Sequence, residues 1–414
     1  MPQEKESLPR AGGGRDSRDD IVLVAANSSW ALTNYRMGLL KAIRNAGYRV
    51  VAAVPADEGL SKLEKEGVEV RPVSIAPHGT SPADELRLLY RYFQLLSELR
   101  PRALLGFTIK PNIYGALAGR VLRVPVINNV TGLGLVFTRR GPLRAVVSML
   151  YRIAFRKSAR VFFQNRESRD LFLSLGFVRE QQAQLLPGSG IDLQRFAPRR
   201  TSKAAGKARF TFLLPSRLMW QKGIGEYCEA ARQVRSRRPD VRFQLLGAVE
   251  PSWNKAGIAK ERIEQWQQEG IDYLGSTDDV RPFFAAADCI VLPSYYPEGV
   301  PRALIEAAAM GKPIITTDTP GCREMVEPGR TGFLCEPRSS ESLISAMLQM
   351  VERSSAQRSA MAKAAREKAE HEYGERFVID AYLAAIDEIS RNKTNRRGRK
   401  RSKGRSDLLR VHRL

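Results

Sequence analysis

The sequence predicts an α/β protein built from two doubly wound parallel-sheet domains that face a central cleft. Three observations support this prediction. The length of 414 residues favours two domains over one. Short apolar runs alternate with helix patterns, and this alternation is repeated in the second half of the chain. A stretch rich in proline and glycine, residues 187–198, lies between the halves and is the predicted linker.

Apolar runs of four to six residues predict the strands. They cover residues 21–26, 49–54, 69–73, 103–107, 124–128 and 161–164 in the first half, and residues 210–214, 241–246, 271–274, 289–292 and 314–317 in the second. Helix patterns lie between them. Because ligands of doubly wound folds bind beyond the carboxyl ends of the strands, the cleft between the halves is the predicted site.

The predicted domains span residues 21–190 and 191–372. Residues 1–20 contain no apolar core, so we expect a disordered extension and no signal peptide. Residues 391–414 carry eleven Lys or Arg and one acid, which is too charged a composition to fold. We expect this basic tail to be disordered.

The net charge of +23 is strongly basic and implies an anionic partner, which could be a nucleic acid, an anionic lipid or a substrate bearing phosphate. Four scattered cysteines without a CxxC motif favour reduced thiols. No segment reaches the ~18 apolar residues that a membrane span requires. The sequence therefore favours a reduced protein that does not span a membrane.

The stretch PSYYPEGVPRALIEAAAMGKPIITTD, residues 293–318, joins a predicted strand to a predicted helix. Pro301 suits the first position of that helix, and Gly311 suits its end. Glu298 then lies just before the helix, and Glu306 lies inside it. This places one carboxylate on each side of a helix N-terminus.

The backbone N–H groups near Gly299 and Val300 point outward at that N-terminus, where the helix dipole favours an anion. A sugar nucleotide needs such a site, because its diphosphate requires donors and its hydroxyls require carboxylates. The sequence therefore predicts a nucleotide-sugar site here.

A second candidate is PSRLMWQKG, residues 215–223, which follows a strand and opens a helix. Arg217 and Lys222 could neutralise a leaving diphosphate, assisted by the helix N-terminus. The alternative is a pair of solvated surface cations. The chain contains no Asp-x-Asp, the pattern that commonly holds Mg²⁺ or Mn²⁺ on a diphosphate, so we expect no metal and no other cofactor.

The first half offers two further segments. NNVTGLGLVF, residues 128–137, follows a strand and contains Asn129, Thr131 and Gly132. FTIKPNIYG, residues 107–115, follows another strand and offers Lys110 to a phosphate or an acceptor. A surface lysine before a helix is the alternative for Lys110.

The segment EGVPRALIEAAAMGKPIITTDTPGCREMVEPGRTGFL resembles the donor-site signature of the family 4 retaining glycosyltransferases, which have the GT-B fold of two Rossmann-like domains. The resemblance is to the capsule and lipid-linked glycan branch, for which the TGLG of residues 131–134 is typical. It extends over about residues 21–389. Many members have a histidine near residues 128–137, and this chain does not.

The resemblance implies a role for each candidate residue. Arg217 and Lys222 would hold the diphosphate, Glu306 the ribose hydroxyls and Glu298 the transferred sugar. The remaining donor-binding candidates are Gly299, Val300 and Pro301 at the helix start, and Gly247, Ser276 and Thr277 beside the base. Lys110, Asn129, Thr131 and Gly132 would lie on the acceptor or sugar side.

The resemblance also implies that the last helix, residues 373–389, crosses back to complete the first, acceptor-binding domain. The expected donor is a UDP-linked hexose or N-acetylhexosamine, and the expected acceptor is a polyprenyl-diphosphate-linked glycan at the inner face of the cell membrane. Two alternatives stay open: a sugar-nucleotide epimerase of the same fold, and a nucleic-acid-binding protein argued from the basic tail. The amphipathic pattern of residues 139–157 fits either a core-facing helix or a patch that touches anionic lipid.

Overall fold

The structure is a computed structural model that describes residues 21–75, 81–134, 137, 141–198, 209–251, 254 and 256–392. The N-terminal extension, the basic tail after residue 392 and Arg139 and Arg140 lie outside the described residues. Within the described ranges the chain forms two parallel sheets, as the alternating pattern predicts.

The first sheet has seven strands in the order β3-β2-β1-β4-β5-β6-β7 among the residues described. The strands are β1 (Ile21–Ala25), β2 (Arg49–Val54), β3 (Glu69–Pro72), β4 (Ala103–Phe107), β5 (Val126–Val130), β6 (Arg160–Phe163) and β7 (Ala183–Leu185). The order reverses between β1 and β4, which gives a crevice at the carboxyl ends of these strands.

The second sheet has six strands in the order β10-β9-β8-β11-β12-β13, again counted over the described part of the chain. They are β8 (Phe210–Pro215), β9 (Val241–Leu246), β10 (Asp272–Tyr273), β11 (Cys289–Leu292), β12 (Ile314–Thr317) and β13 (Gly332–Cys335). Here the order reverses between β8 and β11, so both candidate donor segments leave the sheet at its switch point.

Helices cover both faces of each sheet. They are α1 (Ser29–Tyr35), α2 (Met37–Asn45), α3 (Leu60–Lys65), α4 (Pro82–Leu99), α5 (Ala116–Leu122), α6 (Pro142–Phe155), α7 (Arg166–Ser174), α8 (Ile224–Arg237), α9 (Lys260–Gln268), α10 (Arg281–Ala286), α11 (Arg302–Ala309), α12 (Ser340–Glu352), α13 (Ser355–Glu372) and α14 (375–392). Since both faces are covered, central strands such as β1 are buried at every position.

The last helix, α14, packs on the first domain. Val378, Tyr382 and Ile386 lie in the same apolar cluster as residues of β1, β2 and β4. The Tyr382 ring lies 4.7 Å from the ring of Phe162 on β6. The chain thus crosses between the domains twice, and the two crossings pair where the Ile191 N–H donates to the Tyr373 carbonyl over 2.8 Å.

The sequence-based elements differ from the structure in three places. β7 and β13, short strands of three and four residues at the sheet edges, were not predicted. The helix expected from Pro301 begins at Arg302, with Pro301 as its N-cap. Among the described helices, none combines the length and the apolar character needed to cross a membrane.

Candidate active site

The start of α11 is held against the first domain. The Gly299 N–H donates to the Thr131 carbonyl over 2.8 Å, and the Gly134 N–H donates to the Pro297 carbonyl over 3.2 Å. The Gly299 N–H is therefore already used by the protein. This corrects the prediction that it is offered to an anion, because a backbone donor paired across the cleft has no proton left for a phosphate.

Glu298 is bound by a lysine from a distant segment. Lys222 Nζ lies 2.7 Å from Oε1 and 2.8 Å from Oε2 of Glu298, and Ser294 Oγ donates to Oε1 over 2.9 Å. Lys222 is 9% exposed. Two of the residues singled out in the sequence thus form one largely buried ion pair at the carboxyl edge of the second sheet.

Arg217 has an acidic partner that sequence reasoning missed. Its Nη1 lies 3.0 Å from Oε1 of Glu250, which follows β9, and the Arg217 side chain is 60% exposed whereas that of Glu250 is 8% exposed. Asn254 Nδ2 donates to the other Glu250 oxygen over 2.6 Å. The Arg217 side chain is therefore largely open to solvent, while the buried Glu250 carboxylate holds its guanidinium in position.

Glu306 lies on the buried side of α11. Arg302, one turn earlier, approaches its Oε1 at 3.0 Å and also donates to the Ser189 Oγ over 2.9 Å and to the Gly190 carbonyl. Burial raises the pKa of Glu306, and the Arg302 guanidinium opposes that rise. The carboxylate is thus linked through Arg302 to the segment that connects the domains.

The predicted TGLG segment meets the Glu298 loop directly. A Cβ added at Gly132 would lie 2.8 Å from the Glu298 Cα, so the backbone approach depends on glycine at a φ of +145°. Asn165 Nδ2, also from the first domain, donates to the Glu298 carbonyl over 3.1 Å. The structure therefore brings Thr131 and Gly132 together with Glu298.

Two first-domain residues at the break between α1 and α2 were not predicted. The Tyr35 ring lies 5.6 Å from the guanidinium carbon of Arg302, and its pKa is raised to about 12 by burial and then by the charge of Glu306. Arg36 is 5% exposed and stacks on the Phe107 ring at 4.7 Å. The sequence signal that could have identified Arg36 is an arginine within an otherwise amphipathic helix pattern.

The buried Arg36 guanidinium has no carboxylate partner among the residues described. Its one hydrogen bond there runs from Nη1 to the Ser189 carbonyl over 3.4 Å. Burial lowers the pKa of Arg36, since a charged group is costly away from water.

Two predicted residues of the sugar side are engaged elsewhere. Asn129 is fully buried, and its Nδ2 donates to the Tyr382 hydroxyl over 2.7 Å, so it joins β5 to α14 and does not face a sugar. Lys110 Nζ lies 2.7 Å from Oε1 of Glu85 on α4, which compensates its charge. The prediction for Asn129 is therefore corrected to a structural role.

The remaining donor candidates lie where the second sheet ends. Gly247 follows β9 and accepts a hydrogen bond on its carbonyl from the Tyr273 hydroxyl over 2.9 Å. Ser276 and Thr277 follow β10, and the Thr277 hydroxyl accepts from the Asp279 N–H over 3.1 Å. These three residues share the sheet edge from which Glu298 projects.

Comparisons with known proteins agree with this geometry. The family described as "Glycosyl transferases group 1" matches residues 209–353, and the family described as "Glycosyl transferase 4-like domain" matches residues 31–188. The two matches fall on the two sheets described above.

Individual relatives extend over most of the chain. An N,N'-diacetylbacillosaminyl-diphospho-undecaprenol alpha-1,3-N-acetylgalactosaminyltransferase of Campylobacter jejuni is 24% identical over 87% of this chain and 97% of its own length. A UDP-Gal:alpha-D-GlcNAc-diphosphoundecaprenol alpha-1,3-galactosyltransferase of Escherichia coli is 26% identical over 65% of this chain and 71% of its own.

Solved structures show the same fold. A glycosyltransferase from Rickettsia africae superimposes with a TM-score of 0.73 at 17% identity, over 90% of this chain and 99% of its own. Anabaena HepE in complex with UDP and glucose superimposes with a TM-score of 0.71 at 20% identity, over 91% and 99%. With a matched family on each of its two sheets, the chain belongs to the family 4 glycosyltransferases of the GT-B fold.

Proposed function

We propose that this protein transfers a hexose or an N-acetylhexosamine from a UDP-sugar to a polyprenyl-diphosphate-linked glycan, with retention of the anomeric configuration and without a metal ion. The observation that carries the proposal is the buried contact of Lys222 with Glu298 beside Ser294, at the mouth between the two sheets. The names of the Campylobacter and Escherichia coli relatives support the donor and acceptor classes.

The reaction needs charge stabilisation more than a base. The bond between the anomeric carbon and the β-phosphate oxygen breaks, the acceptor oxygen bonds to the same carbon on the same face, and the acceptor proton passes to the departing phosphate. Negative charge grows on the diphosphate, where Lys222 and the exposed guanidinium of Arg217 supply fixed positive charge. In a retaining enzyme this front-face route requires no carboxylate opposite the leaving group.

The two glutamates would orient the donor. Glu298 is held by Lys222 and can accept hydrogen bonds from hydroxyls of the transferred sugar. Glu306, deeper in the site, would accept those of the ribose. Holding both ends of the donor fixes the anomeric carbon, and positioning of this kind contributes a large part of enzymatic rate enhancement.

Metal independence follows from the same cations. Lys222, Arg217 and the N-terminus of α11 supply the positive potential that Mg²⁺ would otherwise bring. We expect transfer to continue in EDTA at an undiminished rate. A loss of activity on chelation that added Mg²⁺ or Mn²⁺ restores would contradict this part of the proposal.

The acceptor places the enzyme at a membrane surface. We propose a cytoplasmic protein that associates peripherally with the inner face of the cell membrane and takes part in cell-surface polysaccharide assembly. The basic tail, with eleven Lys or Arg, would add attraction to anionic lipid. Deletion of residues 391–414 should weaken binding to anionic vesicles while leaving transfer to a short, water-soluble acceptor analogue unchanged.

The test is incubation of the full chain with a panel of UDP-sugars and polyprenyl-diphosphate-linked acceptors, followed by mass spectrometry of the products. We expect an acceptor heavier by one sugar unit, with the anomeric configuration of the donor preserved in the proton NMR coupling. Lys222→Ala serves as the inactive control. Conversion of a UDP-sugar to an isomer without any acceptor would favour the epimerase alternative and overturn the proposal.

A further inference from the structure

Three first-domain helices expose apolar side chains on their outer surfaces. On α4, Leu86, Tyr90 and Phe93 are exposed with the 4- and 3-residue spacing of one helix face. On α6 the same pattern is formed by Val146, Met149 and Ile153, and on α5 Val121 is 70% exposed. We refer to these seven residues as the α4–α6 face.

The seven side chains lie on one side of the molecule. β3, β4, β5 and β6 follow one another in the same direction across the sheet, so the right-handed crossovers α4, α5 and α6 cover the same sheet face. The guanidinium of Arg120 on α5 donates to the Ile153 carbonyl on α6 over 2.9 Å. The three helices therefore form one layer.

The exposed apolar side chains of the described residues are grouped on this face. Ten large apolar side chains are exposed in the part of the chain that the structure describes, and the α4–α6 face holds seven of them. Single exposed apolar residues are ordinary, whereas a grouped set marks a surface that something covers.

The charge of the same region points to what covers it. Residues 99–166 contain no Asp or Glu and thirteen Lys or Arg. Arg156 and Lys157 lie exposed at the end of α6. The three acids of α4 are paired, Asp84 with Arg87, Glu85 with Lys110 and Glu98 with Arg71 of β3.

We propose that the α4–α6 face docks onto an anionic lipid bilayer, with its apolar side chains in the interfacial region and its cations on the headgroup phosphates. The cations of this region are complementary to anionic headgroups, and the apolar side chains on three helices are complementary to the interfacial region of the bilayer. The inference rests on the proposed lipid-linked acceptor. It deepens that proposal, because α4, α5 and α6 all follow the carboxyl ends of strands and so begin at the edge where the candidate active site lies.

The experiment is co-sedimentation of the full chain with vesicles of phosphatidylcholine containing phosphatidylglycerol, and with vesicles of phosphatidylcholine alone, at low and high salt. The first variant is Leu86→Ser with Tyr90→Ser and Phe93→Ser, which should weaken binding about tenfold or more at both salt concentrations, because it removes the apolar contribution. The second is Arg156→Gln with Lys157→Gln, which should weaken binding by about tenfold at low salt and little at high salt.

The matched control is Lys62→Gln with Lys65→Gln, which removes two exposed charges from α3, on the other side of the same domain. It should bind vesicles nearly as the parent chain does. Thermal unfolding of each variant reports on folding, and the charge variant keeps the proposal testable if the triple variant fails to fold.

The proposal is overturned if the parent chain binds neutral and anionic vesicles equally, if neither variant weakens binding, or if the α3 control loses as much as the α6 variant. It is also overturned if the triple variant abolishes a self-association of the parent chain, since the face would then contact a second copy. Transfer to a water-soluble acceptor analogue separates the two proposals. A chain that binds vesicles through this face but transfers no sugar refutes the proposed function and not the docking face.

Discussion

The two sides of the cleft are built differently. The second domain presents charges that already have protein partners, in the pairs Lys222 with Glu298, Arg217 with Glu250 and Arg302 with Glu306. Around the Glu298 loop the first domain presents neutral groups, namely the Thr131 carbonyl, the bare backbone of Gly132 and the Asn165 amide.

This difference separates two tasks. Paired charges are held in place before any ligand arrives, so they can stabilise developing charge without reorganising. Neutral backbone contacts depend on distance, and a small displacement of the first domain breaks them. In the proposed reaction the second domain would therefore supply the stabilising charges, and the contacts of the first domain would form only when the two halves are close together.

Removing Lys222, the more buried of the two cations proposed to face the diphosphate, should have the largest effect. Lys222→Ala should lower kcat by about a hundredfold to a thousandfold, because it deletes a preorganised charge and leaves the Glu298 carboxylate without its cation. Arg217→Ala should lower kcat less, by about tenfold, since water reaches its guanidinium and screens it. Steady-state kinetics at saturating donor measure both, and a larger loss for Arg217→Ala would reverse the ranking.

A single added methyl group can disrupt the contact between Gly132 of the first domain and the Glu298 loop. Gly132→Ala places a Cβ 2.8 Å from the Glu298 Cα and should lower kcat/KM by about tenfold to a hundredfold through loss of closure. Gly141→Ala is the matched control, because Gly141 has a similar φ of +153° and nothing within 4 Å of the added Cβ. Equal losses in the two variants would attribute the effect to backbone strain.

Glu306 should affect donor affinity more than turnover. Glu306→Gln should weaken UDP binding by about tenfold, because a neutral amide accepts weaker hydrogen bonds than a carboxylate. Since burial raises the pKa of Glu306, UDP affinity should rise with pH until the carboxyl group is ionised and then level off. Calorimetric titration across this range should show the rise in the parent chain, and a rise of the same size in Glu306→Gln would rule out this carboxyl group as its source.

The smallest effect concerns stability. Arg36 is a buried cation without a carboxylate partner among the described residues, so Arg36→Met should change the free energy of unfolding by less than about 1 kcal/mol. Lys222→Met should destabilise the chain more, because it strands the charge of Glu298. Denaturant unfolding of the two variants compares them, and a larger loss for Arg36→Met would show that the guanidinium has a stabilising anion.

Much of the fold could be predicted because its signals are local. The apolar run before Pro293 and the proline and glycine around α11 specify a strand and a helix from neighbouring residues alone. The partners of the site residues are not local. Lys222 and Glu298 are 76 positions apart, and no spacing rule connects them.

Contacts across the cleft were the least predictable. The approach of Gly132 to Glu298, the burial of Arg36 and the position of Tyr35 depend on how two separately folded sheets face each other. Asn129 was misassigned for a different reason, because its partner Tyr382 lies within the same domain on a helix that returns from the far end of the chain.

That returning helix has a consequence for synthesis on the ribosome. The apolar face of β1, β2 and β4 is covered partly by α1, α2 and α3 and partly by α14, whose residues follow the first sheet by roughly 200 positions. At about 5 to 20 residues per second, this face waits some ten to forty seconds for its cover. We therefore expect the nascent first domain to expose the part of this surface that α14 covers until the second domain has been translated, and a chain truncated before α14 to lack that cover.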